Sequence, residues 1–194
     1  CMTFTDAGVL AMRKRLLSFI GPEAYNVNIY TYHGFCNMVI QDNLELFGNY
    51  IDLSKLTDLE EVDVYRELID AFANDHPLKR LKGDLYYDKR RLSNLFQIMK
   101  EENWNVEHIE AAVKQLEIEL RDDPQYIYKK AYTNRKTKQK FEAGDVKIDK
   151  LKKDIAKYDK TIIAAKEFKN YLKIMALKKR YDYQDMILWT IEKF

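Results

Sequence analysis

Glycine, proline and cysteine are all scarce here, with 6, 3 and 2 copies among 194 residues. Two cysteines, Cys1 and Cys36, make neither a disulfide framework nor a metal cluster, and a reduced, cytoplasmic setting is the simplest expectation. The three histidines, His33, His76 and His108, show no ligand spacing, so no metal site is expected. No apolar run approaches the roughly 18 residues of a membrane span, so no membrane partner is expected. Two phosphate-handling motifs are missing as well. Without Gly-x-x-x-x-Gly-Lys-Ser/Thr, nothing wraps a triphosphate in backbone amides, and without Asp-Glu-x-Gln no carboxylates hold magnesium and activate water. The chain by itself is therefore expected to supply no catalytic residue.

What is present suits a soluble, helix-rich protein: 33% of residues are charged and 46% hydrophobic, which argues against disorder. At this length the chain can bury a real core, as one domain or two small ones. The net charge of +2 hides an asymmetry, because residues 129–180 hold 18 Lys/Arg against 6 Asp/Glu, a local surplus of +12 that leaves −10 elsewhere. A basic block of this kind suggests an element facing a polyanion.

The opening residues Cys1-Met2-Thr3-Phe4-Thr5 read as a strand, followed by Asp6 as N-cap and a helical pattern from Ala7 to Leu17. Gly21-Pro22 breaks that helix and leads into a second strand, Val27 to Tyr32, with an amphipathic helix from His33 to Ile40. Strand, helix, strand, helix reads as a βαβα unit with parallel strands, whose ligands gather at the carboxyl ends of the strands. From about Leu44 the period is helical almost throughout. Helices are expected over Asp58–Ile69, Asp88–Lys100 and, capped by Asn105 with Trp104 stapled onto Ile109, to about Leu120. Val146 to Arg180 reads as one long lysine-rich helix with a seam of Ile148, Leu151, Ile155, Tyr158, Ile162 and Ala165. It either pairs with a preceding helix over residues 126–143, through a turn at Gly144-Asp145, or packs on the bundle. A final helix starts at Asp182, with Asp182 as cap and Asp185 at the positive helix end rather than as metal ligands.

Three segments carry a family resemblance. Thr3-Phe4-Thr5-Asp6 with Met12 and Arg15, then Thr31-Tyr32-His33-Gly34-Phe35-Cys36, then Tyr181-Asp182-Tyr183-Gln184-Asp185-Met186-Ile187 resemble, in order, segments of superfamily 1 DNA helicases of the UvrD/Rep and RecB/AddA type. The resemblance implies a mostly α-helical chain with an α/β remnant: a truncated RecA-like parallel βα unit carrying an inserted helical subdomain with a long helical arm. On that pattern residues 1–43 are part of the RecA-like domain, 44–180 the insertion usually called subdomain 1B, and 181–194 the returning helix. It further implies a piece of an ATP-driven motor on single-stranded DNA, with ATP and Mg2+ handled by parts outside these residues and the remaining helicase domains as partners.

Each site residue has two readings. Phe4 is a core aromatic by alternation, or a base-stacking platform by resemblance, with Thr5 and Thr31 on the phosphate. Asp6 departs from the family's Asn, which weakens a polar DNA contact there. His33, beside Tyr32, is structural, or a phosphate donor at a helix N-terminus. Arg15 makes an ion pair or meets the rest of the motor, and Cys36 is a buried small hydrophobe. The lysines are a solvated face, or they touch duplex DNA at a fork, most plausibly at Lys129 and Lys130 near Tyr126, Tyr128 and Tyr132. A stand-alone helical interaction module with a coiled-coil arm and no enzymatic activity is the competing reading of the whole chain.

Overall fold

The computed structural model describes residues 1–50, 52–134 and 138–193. In chain order the elements are β1 (Met2–Thr3), α1 (Asp6–Ile20), β2 (Tyr30–Thr31), α2 (Tyr32–Asp42), β3 (Ser54–Lys55) and α3 (Asp58–Asp70). They continue with α4 (Lys89–Glu101), α5 (Val106–Asp122), β4 (Tyr132–Thr133), β5 (Lys140–Phe141), α6 (Ile148–Lys166), α7 (Phe168–Leu177), β6 (Arg180–Tyr181) and α8 (Tyr183–Lys193). The chain divides into two compact units, one of residues 1–62 and 174–194, the other of residues 63–173.

The first unit is built on two short parallel pairs. β1 lies beside β2 with Met2 opposite Tyr30 and Thr3 opposite Thr31; β3 lies beside β6 with Ser54 opposite Arg180 and Lys55 opposite Tyr181. All four strands run straight into helices, and every one of those turns is capped by a side chain. Thr5 Oγ1 accepts from the Gly8 amide and Thr31 Oγ1 from the Gly34 amide, each at 3.0 Å. Thr57 Oγ1 accepts from the Glu60 amide at 3.3 Å while Glu60 Oε2 accepts from the Thr57 amide at 3.0 Å. Asp182 caps the Asp185 amide at 3.0 Å, as expected of it, and Asp185, expected only to face the positive helix end, also accepts from the Asp182 amide at 2.9 Å.

The cap of α1 is Thr5, not Asp6. Thr5 holds the extended backbone a cap needs (φ −135°, ψ 154°) and its hydroxyl reaches the third amide, so Asp6 becomes the first helical residue, an exposed carboxylate at the positive helix end. The second strand is also shorter than the expected Val27–Tyr32. Residues Gly21–Asn26 form a 3-10 turn after Gly21 at φ 62°, and the Arg13 guanidinium donates to the carbonyls of Ala24 and Val27. With its carbonyl taken by Arg13, Val27 joins no ladder. α2 packs on α8 in this unit, and Tyr50 stacks on Trp189 with ring centroids 4.0 Å apart.

The second unit is helical around an aromatic core. Tyr65, Phe96, Phe168 and Tyr171 meet at centroid distances of 5.1 to 6.0 Å, packed among Leu68, Ile69, Leu92 and Met99. A smaller cluster joins Leu120, Tyr126 and Leu151, with Leu116, Val146, Ile155 and Tyr158 against it.

Two long-helix expectations fail here. The described residues of 126–143 form no α-helix: after a 3-10 turn at Pro124–Tyr126 they pair as an extended hairpin in which Ile127 bridges Val146 and β4 pairs antiparallel with β5. Tyr, Ile and Thr fit the pleat of a strand better than a helix turn, and Gly144 at φ 99° lets the returning strand close. Val146 to Arg180 is likewise two helices and a strand. Glu167 donates its amide to Ala164 rather than one residue further back, accepts from Asn170 Nδ2, and lies 3.5 Å from His76 Nε2, so α6 ends there and α7 begins. Lys179 at φ 54° then turns the chain into β6. Of the expected seam, Leu151 and Ala165 are buried but Ile148 is 52% exposed, and α6 packs on α4 and α5 rather than forming a free arm. No helix among the described residues is long and apolar enough to cross a membrane.

Candidate nucleic-acid interface

The β1–α1 and β2–α2 turns stand side by side because their strands are neighbours in register. Phe4 projects from the first turn with 84% of its surface exposed, so it is not a core residue. Its ring lies 5.0 Å from that of Tyr32, itself 40% exposed, at a tilt of 49°. Thr5 and Thr31 frame the pair as caps of two adjacent helices whose first-turn amides have no intrahelical partners. A Cβ at Gly8, in the first of these turns, would meet Thr3 Oγ1 and force that side chain to shift.

His33 lies on the inner side of the same region. Its ring is 4.6 Å from Tyr183 at the start of α8, and its Nε2 is buried with no hydrogen-bond partner. Lys55, at the tip of β3, places its Nζ 3.5 Å from the centroid of the same Tyr183 ring, a cation–π contact. Five of the expected residues, Phe4, Thr5, Thr31, Tyr32 and His33, thus come together in the first unit. Lys129 and Lys130 belong to the second unit, both exposed in the hairpin between Tyr128 and Tyr132. There Tyr128 stacks on Tyr132 at 5.7 Å and on Phe141 at 4.8 Å. Tyr126 is no part of that surface: it is 4% exposed, and its hydroxyl donates to Asp154.

Arg15 is exposed, and Cys36 is buried as expected. Three contributors were missed by sequence reasoning. Arg13, two residues from the motif arginine, ties α1 to the turn that delivers β2. Lys55 carries no local signal, since a single lysine in a short strand resembles any other. Arg180 donates Nε and Nη2 to Glu60 Oε1 at 2.8 and 2.7 Å, binding β6 to the start of α3. The Arg180 hydrogen bond, followed by the Thr57 amide and hydroxyl, holds the Glu60 carboxyl at about 2, well below the usual carboxylate range. Half of that arrangement is visible in the sequence, because Thr57-x-x-Glu60 is a capping box.

No three His, Cys, Asp or Glu side chains among the described residues gather as a metal set, and Asp182 and Asp185 are engaged with backbone amides. Compared with known families, the chain matches the UvrD/REP helicase N-terminal domain over residues 1–194. It belongs to that family. No curated protein matches it. Membership in the UvrD/REP helicases makes DNA the partner to look for, and disfavours the stand-alone interaction module.

Proposed function

We propose that this UvrD/REP helicase domain grips single-stranded DNA at the paired strand tips of its first unit and contacts duplex DNA through the hairpin of its second, without hydrolysing ATP itself. Residues 1–43 and 181–194 are read as the RecA-like part and 44–180 as the helical insertion. The observation that carries the grip is the exposed Phe4 ring set against Tyr32, with a threonine-capped helix start on either side. An aromatic face takes a base of any identity, and backbone amides with threonine hydroxyls take the adjoining phosphates. Because Nε2 of His33 faces inward, a phosphate at this turn is met by the amides or the other ring nitrogen, while Lys55 adds a cation nearby. In the hairpin, Lys129 and Lys130 lie between two stacked tyrosines, Tyr128 and Tyr132, a surface suited to a phosphate backbone.

Fluorescence anisotropy with a labelled oligo(dT) tests the grip. Phe4→Ala is expected to weaken binding about 5- to 160-fold, the loss of one stacked base at roughly 1–3 kcal/mol, with unchanged circular dichroism. An unaltered affinity removes Phe4 from the interface. For the hairpin, Lys129→Glu with Lys130→Glu is expected to lower the salt slope of fork-duplex binding by about 1.8, roughly 0.9 for each lost phosphate contact. An unchanged slope leaves these lysines as a solvated face.

A further inference from the structure

The second unit contains a cavity of about 670 Å3 that the DNA reading does not use. It lies between α4, α6 and the chain at Pro77 and Leu78, on a floor of Leu78, Leu92, Leu95 and Ala164. Along α6 its lining residues fall at 153, 156, 157, 160, 161 and 164, the spacing of one helix face. At 1.5 Å per residue that wall is about 16 Å long, or three helical turns.

The rim is cationic. Arg80, Arg91, Lys153, Lys157 and Lys160 surround an opening lined by a single carboxylate, Asp88. Asp88 is already bonded to Arg80 Nε at 3.1 Å and Arg91 Nη1 at 3.0 Å, and Lys157 pairs with Asp154 at 2.6 Å. Lys153 and Lys160 are exposed and pair with no carboxylate among the described residues.

An apolar trough three turns long, edged by lysine and arginine, matches an amphipathic helix with one apolar ridge between rows of Asp and Glu. We propose that this groove docks such an acidic helix from a partner protein. Its apolar ridge, at i, i+3/i+4 and i+7, lies on the leucine floor, and its carboxylates meet Lys153 and Lys160 on one side and Arg80 and Arg91 on the other. A nucleic-acid strand suits the groove less well, because no aromatic ring lines it to receive a base.

The probe is a fluorescein-labelled synthetic peptide of about three to four turns, with leucines at that spacing and flanking glutamates, titrated with the 194-residue chain. Saturable binding in the range of tens of micromolar is expected, weakened at least tenfold by Lys153→Glu with Lys160→Glu. Both lysines are exposed, so the fold is retained, and matching circular dichroism establishes this. A scrambled peptide of the same composition is expected not to bind. The proposal is overturned by equal binding of the scramble, by indifference to the charge reversal, by no binding at about 1 mM peptide, or by an oligo(dT) that competes the peptide away from this groove.

Discussion

Glu60 is bonded through both carboxylate oxygens, one to Arg180 and one to the amide and hydroxyl of Thr57. Because the folded carboxyl titrates at about 2 while a free glutamate titrates near 4.3, the folded state prefers the ionised form. That preference contributes fully above about pH 4.5 and is lost as the pH falls through the interval toward 2. Glu60→Gln is therefore expected to flatten the fall in melting temperature between about pH 4.5 and 2, while lowering it at pH 7. Parallel thermal melts of the two proteins across pH decide it, and curves of equal steepness would show that Glu60 does not drive the acid response. At the same scale, Phe4 and Tyr32 form an exposed ring pair in a molecule whose other aromatic contacts include a buried core, which is why alternation alone left Phe4 undecided.

The strand-to-helix turn recurs four times in the first unit, capped by Thr5, Thr31, Thr57 and Asp182. At the last, Asp182→Ala removes the acceptor for the Asp185 amide at the start of α8. Urea denaturation is expected to show a loss of about 1 kcal/mol, a cap's usual contribution; a change within error would mean that packing of α8 on α2 holds the turn unaided. Of these caps Asp182 was legible, because a cap is a local device of short polar side chain and amides within three residues, whereas at α1 the neighbouring Asp6 offered the same device and was read in place of Thr5. Helices α1, α3, α4, α5 and α8 were legible mainly from helical apolar spacing, a signal that is also local. The parallel pairing of β3 with β6 was not, since its register joins Ser54 to Arg180 through nothing in either segment. The hairpin was misread as helix because Lys and Tyr tolerate both states, and closure depends on the long-range match of Ile127 with Val146. At the break between α6 and α7, Glu167 lies 3.5 Å from His76, again a contact between distant positions.

On the scale of the whole molecule, the two units differ in how completely they cover themselves. The helical unit buries Leu68, Ile69, Phe96 and Met99 almost entirely, whereas α1 of the other unit buries none of its residues. Leu10, Phe19 and Ile20 are 63%, 79% and 49% exposed, on different sides of that helix. Phe19→Ser with Leu10→Lys is expected to shift sedimentation velocity profiles at high concentration toward the monomer without altering the melting temperature by more than a few degrees. Profiles that match the parent would show that these side chains do not drive self-association. The site residues in the first unit were readable from three short segments, but the Lys55–Tyr183–His33 contact was not, because it is assembled from three separate elements. The chain has 2 tryptophans, and the division into units puts one in each. Trp189 lies flat on Tyr50, whereas Trp104 is 43% open to water. Intrinsic emission therefore comes from two lamps of different colour, one shaded and one wet, and replacing Trp104 with phenylalanine leaves an optical signal that reports on a single half of the chain.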